Sequence, residues 1–178
     1  MNIEQAFHGN QYISSAEAMT MYYDGLNVLV EGFFTEPSEE HLYILCPFIN
    51  TNLLKDLLQK RQNVTIVTSW RKDHLLSGVS NVDLYELVKK NPTWNLMIND
   101  RLHAKIFTRG FSDMICGSVN LTHRALEDHQ SNGNFEFLTY QKVEKIDEDS
   151  IKNILQHSMQ MTDEIYEVYK EWFDENQE

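Results

Sequence analysis

A chain of 178 residues, 42% hydrophobic and 24% charged, has room for one domain with a real core and not for two independent ones. No apolar run approaches the roughly 20 residues of a membrane span, and the N-terminus lacks the basic start and apolar stretch of a secretory signal. The net charge of −12 argues against tight non-specific binding of nucleic acid by this chain alone, because such binding rests on neutralising many phosphates. That charge is uneven. Residues 143–178 hold eleven acids against three bases and so carry −8, leaving −4 for residues 1–142. Cys46 and Cys116 each fall in an apolar run, so they are read as buried reduced thiols and the compartment as cytoplasmic.

Taken in chain order, residues 14–24 read as a helix with serine at its start and Gly25 past its end. Residues 27–34 are open between helix and short strand. Residues 36–40 form a loop, and 41–46 make a short apolar strand closed by Pro47. Thr51 caps a helix through about residue 60, and the β-branched run 63–68 is the strongest strand in the chain. A helix over 82–90, a turn at Asn91-Pro92 and a strand over 94–98 follow. A strand over 102–108, a turn at 109–112 and a strand over 113–116 make a hairpin. A helix starts near Thr122, a strand covers 134–140, and one long acidic helix spans about 150–173 with apolar residues such as Ile151, Ile154, Ile165 and Trp172. Strand–helix alternation followed by a hairpin predicts α/β: a mixed β-sheet flanked by helices, one domain over 1–178, without internal repeats.

The chemistry concentrates after residue 100. Alternation along 102–107 places His103 and Lys105 side by side on one strand face. A histidine beside a fixed positive charge suits chemistry on a phosphate. Gly117-Ser118-Val119-Asn120 follows within fifteen residues, and Asn134-Phe135-Glu136-Phe137 comes next. Basic residues gather nearby: Arg101, Arg109 and Arg124, with Arg71 and Lys72 earlier. Histidines and cysteines show no zinc spacing, so no metal and no cofactor are expected.

H-x-K, then G-S-x-N, then N-x-E resembles the active-site signature of the phospholipase D superfamily, most closely its nuclease branch. The resemblance extends diffusely from about residue 42 to about residue 173. It implies a phospholipase D-like fold and makes His103, Lys105, Ser118, Asn120 and Glu136 the catalytic set. One position departs: the family signature places an aspartate five residues after the lysine, where this chain has Gly110. Some nuclease-like members share that departure, and Asp113 sits at the expected hairpin turn. Trp70-Arg71-Lys72 followed by Gly78 resembles a loop in some superfamily nucleases, so Trp70 and Arg71, with Arg109 and Arg124, are candidate substrate contacts against a plain packing role.

In the superfamily two such units face each other, each giving one H-x-K. The other six histidines (His8, His41, His74, His123, His129, His157) are followed two places later by Asn, Tyr, Leu, Ala, Ser and Met. The implied enzyme is therefore a homodimer with its site on the dyad. His103 would be the nucleophile, with Lys105 and Asn120 holding phosphate oxygens and Ser118 adding a hydrogen bond. Glu136 would accept from the other ring nitrogen of His103. The expected activity is metal-independent cleavage of nucleic acid, DNA ahead of RNA, with a partner subunit as a further source of affinity. A dimeric binding subunit of a restriction or defence complex is the alternative, motivated by Gly110 and the acidic tail. A lipid phosphodiesterase ranks lower, since no basic amphipathic helix or membrane anchor is visible.

Overall fold

The computed structural model describes residues 11–13, 19–59, 61–127 and 132–177. Among these, nine strands form one sheet in the order β1-β2-β8-β7-β6-β3-β4-β5-β9. The centre is β3 (Leu42–Leu45), β4 (Val64–Thr68) and β5 (Trp94–Ile98), which run parallel. β6 (Ile106–Arg109) pairs antiparallel with β3, and β7 (Asp113–Gly117) and β8 (Leu138–Lys142) continue antiparallel. β1 (Gln11–Ile13) and β2 (Thr20–Tyr22) extend one edge, and β9 (Met159–Gln160) closes the other. This is the mixed sheet with flanking helices that the sequence predicts.

Alternation along the central strands builds a core on each face. Leu42, Ile44, Val64, Ile66, Leu96, Phe107 and Ile115 enter the larger one, under helices α1 (Leu26–Thr35), α2 (Thr51–Leu58), α4 (Leu84–Lys89) and α7 (Asp163–Asn176). Leu45, Val67 and Met114 enter the smaller one, under α6 (Lys145–Gln156). Short helices α3 (Lys72–Leu76) and α5 (His123–Leu126) follow β4 and β7.

Several elements differ from the sequence reading. Of the helix expected over 14–24, residues 14–18 lie outside the described residues, and Thr20–Tyr22 is a strand added to β8. Helix propensity is a weak prior, and Met21 and Tyr22 gain ladder hydrogen bonds at a sheet edge instead. Gly25, at φ +64, precedes a helix rather than ending one, and residues 26–35 resolve as helix with Leu26, Val30, Phe33 and Phe34 on the buried face. The cap of α2 is Asn50, whose Oδ1 accepts from Leu53 N–H at 3.0 Å. The motif strand begins at Ile106 rather than 102, and β8 begins at Leu138 rather than 134.

The long C-terminal helix is two helices. Ile151, Ile154 and Leu155 pack on the smaller core, whereas Ile165, Tyr166, Tyr169 and Trp172 pack on the larger. One straight helix cannot serve both faces of a sheet. The chain therefore breaks after Gln156, pairs Met159 and Gln160 with Ile98 and Met97 along the sheet edge, and restarts at Thr162, whose Oγ1 accepts from Ile165 N–H at 3.3 Å.

Candidate active site

The antiparallel order fixes where the motifs go. The residues before β6, those after β7 and those before β8 all emerge at one end of the sheet. The C-terminal ends of β3, β4 and β5 reach the same end, where open α/β sheets bind their ligands. His103, Lys105, Ser118, Asn120 and Glu136 are thus brought together from three adjacent strand ends.

Extended backbone carries His103 and Lys105 before the ladder starts. His103 is exposed, and Lys105 is only 9% exposed. The Lys105 ammonium donates to the His103 carbonyl at 2.8 Å and lies 3.5 Å from His103 Nε2. Among the described residues no carboxylate pairs with Lys105. A nearly buried cation without a counter-ion is costly, and an incoming anion relieves that cost.

Gly117 is required by a close approach. A β-carbon there would lie 2.2 Å from the Phe137 carbonyl oxygen, because β7 runs tightly against the entry to β8. That contact continues through Ser118 N–H, which donates to Phe137 O at 3.1 Å, and Phe137 N–H, which donates to Ser118 Oγ at 3.1 Å. The Ser118 hydroxyl in turn donates to Glu136, whose other oxygen accepts from Asn134 Nδ2 at 3.1 Å. Glu136 is therefore held by Ser118 and Asn134, not by the His103 ring as expected.

Asn120 has a support that the sequence reading missed. Cys46, fully buried past the end of β3, lies with its Sγ 3.6 Å from Asn120 Oδ1 and 3.2 Å from the Phe48 carbonyl, and it accepts from Leu121 N–H at 3.4 Å. Burial pushes its thiol pKa up to about 12, with hydrogen bonds from the Leu121 and Phe48 backbone and the Lys105 charge opposing, so it stays protonated. The thiol thus lies against the Oδ1 side of the Asn120 amide. Expecting Cys46 to be a buried reduced thiol was right; its link to Asn120 spans 74 residues and leaves no local signal. Cys116 is reduced but only half-buried, beside Thr139.

The other basic and aromatic candidates are placed differently. Trp70 is 1% exposed and packs on Tyr169 with ring centroids 5.3 Å apart, so it serves the core. Arg71 reaches the correct end of the sheet but pairs with Asp73 at 3.1 Å. Arg124, exposed on α5, accepts at its backbone carbonyl from Asn134 N–H at 3.1 Å and so ties α5 to the Glu136 segment. Arg109 lies at the opposite end of the β6–β7 hairpin, bound to Asp113 and Glu36 and stacked 4.5 Å over Phe33. Gly110, in place of the family aspartate, has φ +53 in the hairpin turn, a conformation that suits glycine. It is about 20 Å from His103 along extended chain. Among the described residues no group of three His, Cys, Asp or Glu side chains is placed to hold a metal, and no helix is long and apolar enough to cross a membrane.

No family model matches the sequence, and no curated protein is matched by it. Solved structures match the fold. Nuc from Salmonella typhimurium, described as a phospholipase D family member, superposes with a TM-score of 0.61 at 13% identity, covering 81% of this chain and 97% of Nuc. NucT from Helicobacter pylori gives 0.59 at 13% identity, covering 80% of this chain and 98% of NucT. Phosphatidylserine synthase from Haemophilus influenzae gives 0.58 at 13% identity, covering 89% of this chain but 44% of the synthase. The chain therefore has the phospholipase D fold, with its H-x-K, G-S-x-N and N-x-E residues delivered to one end of the sheet.

Proposed function

We propose that this chain is a metal-independent phosphodiesterase acting on nucleic acid, DNA ahead of RNA, through a phosphohistidine formed at the dyad of a homodimer. The observation that carries this reading is the exposed His103 beside a nearly buried Lys105 ammonium that, among the described residues, has no carboxylate partner. In the first step His103 Nε2 attacks phosphorus and forms a P–N bond. The P–O bond to the leaving alcohol breaks, and that oxygen takes a proton from His103 of a second copy. Water then attacks phosphorus and passes its proton to the second copy's histidine. The P–N bond breaks and Nε2 is restored. Lys105 and the Asn120 amide hold the non-bridging oxygens as charge builds on them.

A single H-x-K per chain supports the two-copy site, as do exposed Phe135 (90%) and Phe137 beside Glu136, an apolar edge that a second copy would cover. The acidic α7 gives no surface for an anionic lipid, which weighs against the lipid reading. The test is cleavage of labelled single- and double-stranded DNA and RNA in excess EDTA, parent beside His103→Asn. Parent-only cleavage, with a variant at least about 10³-fold slower, is expected. Equal rates would overturn the assignment. The charge of −12 favours a second reading, a dimeric binding subunit of a larger complex; a folded dimer that binds one of these polymers and cuts none would establish it.

A further inference from the structure

Two of the larger concavities, of about 620 Å³ at the C-terminal ends of α1 and α2 and about 570 Å³ beside α2, contain none of the motif residues. A third, of about 480 Å³, opens directly from His103 and falls in the size range of small-ligand sites. Its floor is apolar, formed by Leu102, Ala104 and Ile154, and its rim is polar, formed by Arg101, Asn153 and His157. The walls are clamped: Asn99 Oδ1 accepts from Arg101 N–H at 3.1 Å, and Asn99 Nδ2 donates to Ser158 Oγ at 3.2 Å. This strut joins the loop after β5 to the segment just past the end of α6.

Each rim group has bonding capacity to spare. Arg71 and Arg109 bind carboxylates, and Arg61 binds the Glu36 and Glu40 carbonyls, but no carboxylate pairs with Arg101 among the described residues. An unpaired guanidinium beside the reacting histidine stands out in a chain of charge −12. His157 directs Nδ1 at the Asn153 carbonyl, 2.8 Å away, so that nitrogen carries the proton and Nε2 is left for a ligand.

We propose that this groove is the subsite for the nucleotide next to the scissile phosphate, an inference that rests on the nucleic-acid reading above. The base lies over Leu102, Ala104 and Ile154. Its polar edge meets Asn153 and His157 Nε2, and its outer phosphate meets Arg101. A planar apolar face with a polar edge and an anion at one end is what floor, rim and guanidinium together complement.

The test uses a labelled single-stranded oligonucleotide and bis(p-nitrophenyl) phosphate, a diester too small to fill both the site and the groove. Arg101→Gln combined with His157→Ala is expected to raise the oligonucleotide Kd, read by fluorescence anisotropy, about tenfold. It also lowers kcat/KM on the oligonucleotide about tenfold more than on the small diester. Lys145→Gln, which removes one positive charge elsewhere on α6, controls for long-range electrostatics and moves neither. A parent that binds no oligonucleotide, an unchanged Kd in the double variant, or an equal loss on both substrates would each overturn the subsite. A parent that binds as expected but turns over neither substrate overturns the catalytic reading and leaves the subsite standing.

Discussion

Lys105 is where stability and function pull apart. An ammonium with 9% exposure and a backbone carbonyl as its acceptor costs folding energy, and its proposed use is to hold a substrate phosphate. Lys105→Met is expected to raise stability by roughly 0.5–2 kcal/mol in urea unfolding while lowering turnover at least about 10²-fold. A destabilised Lys105→Met would mean that the ammonium is structural. Gly117 constrains the site sterically. Gly117→Ala drives a β-carbon onto the Phe137 carbonyl and should cost about 1–3 kcal/mol, with loss of activity as Ser118 and Glu136 shift. An alanine variant with parental stability and kcat would show that the approach is not needed. The proposed site residues were legible because H-x-K, G-S-x-N and N-x-E stand at a familiar spacing. Their hydrogen bonds were not: Ser118, rather than His103, takes Glu136, and Cys46 reaches Asn120 from the far side of the sequence.

At the scale of elements, the β6–β7 hairpin is stapled at its turn by the Arg109–Asp113 pair, with Tyr140 Oη donating to Asp113 at 2.8 Å. Burial alone would raise the Asp113 pKa, but the hydrogen bonds from Arg109 and Tyr140 outweigh it and hold the carboxyl below its ordinary range. A depressed folded pKa gives stability that is present above the ordinary carboxylate value and is lost as pH falls through the folded one. Asp113→Asn should therefore cost about 3 kcal/mol at pH 7, and its deficit should shrink below pH 4. An undiminished deficit at pH 3, measured by urea unfolding, would contradict this linkage. Element identity was readable where composition was decisive, as in β-branched β4 and in β5. It failed where tertiary partners decide. Tyr22 pairs with Leu138 rather than joining a helix, and periodicity along 150–173 shows an apolar stripe without showing that its halves belong to opposite faces of the sheet.

The described residues form one copy of the fold, and the sequence holds one H-x-K. The proposed two-histidine site would need two chains, so a dimer is expected by light scattering at micromolar concentration. A monomer that still cuts nucleic acid would remove the dyad from the mechanism. The acidic C-terminal region was legible as a charge excess; its division between two faces was not. The parallel centre with antiparallel flanks was legible from strand–helix alternation followed by a hairpin. That arrangement delivers every motif residue to one end and leaves Arg109 at the other.

Base-quenched mass spectrometry of the protein mixed with excess oligonucleotide in EDTA would capture the proposed phosphohistidine. A phosphoryl-linked nucleotide is expected on the peptide containing His103 and is expected to be absent from His103→Asn. Cleavage of the oligonucleotide without that adduct, or by His103→Asn at the parental rate, would contradict it.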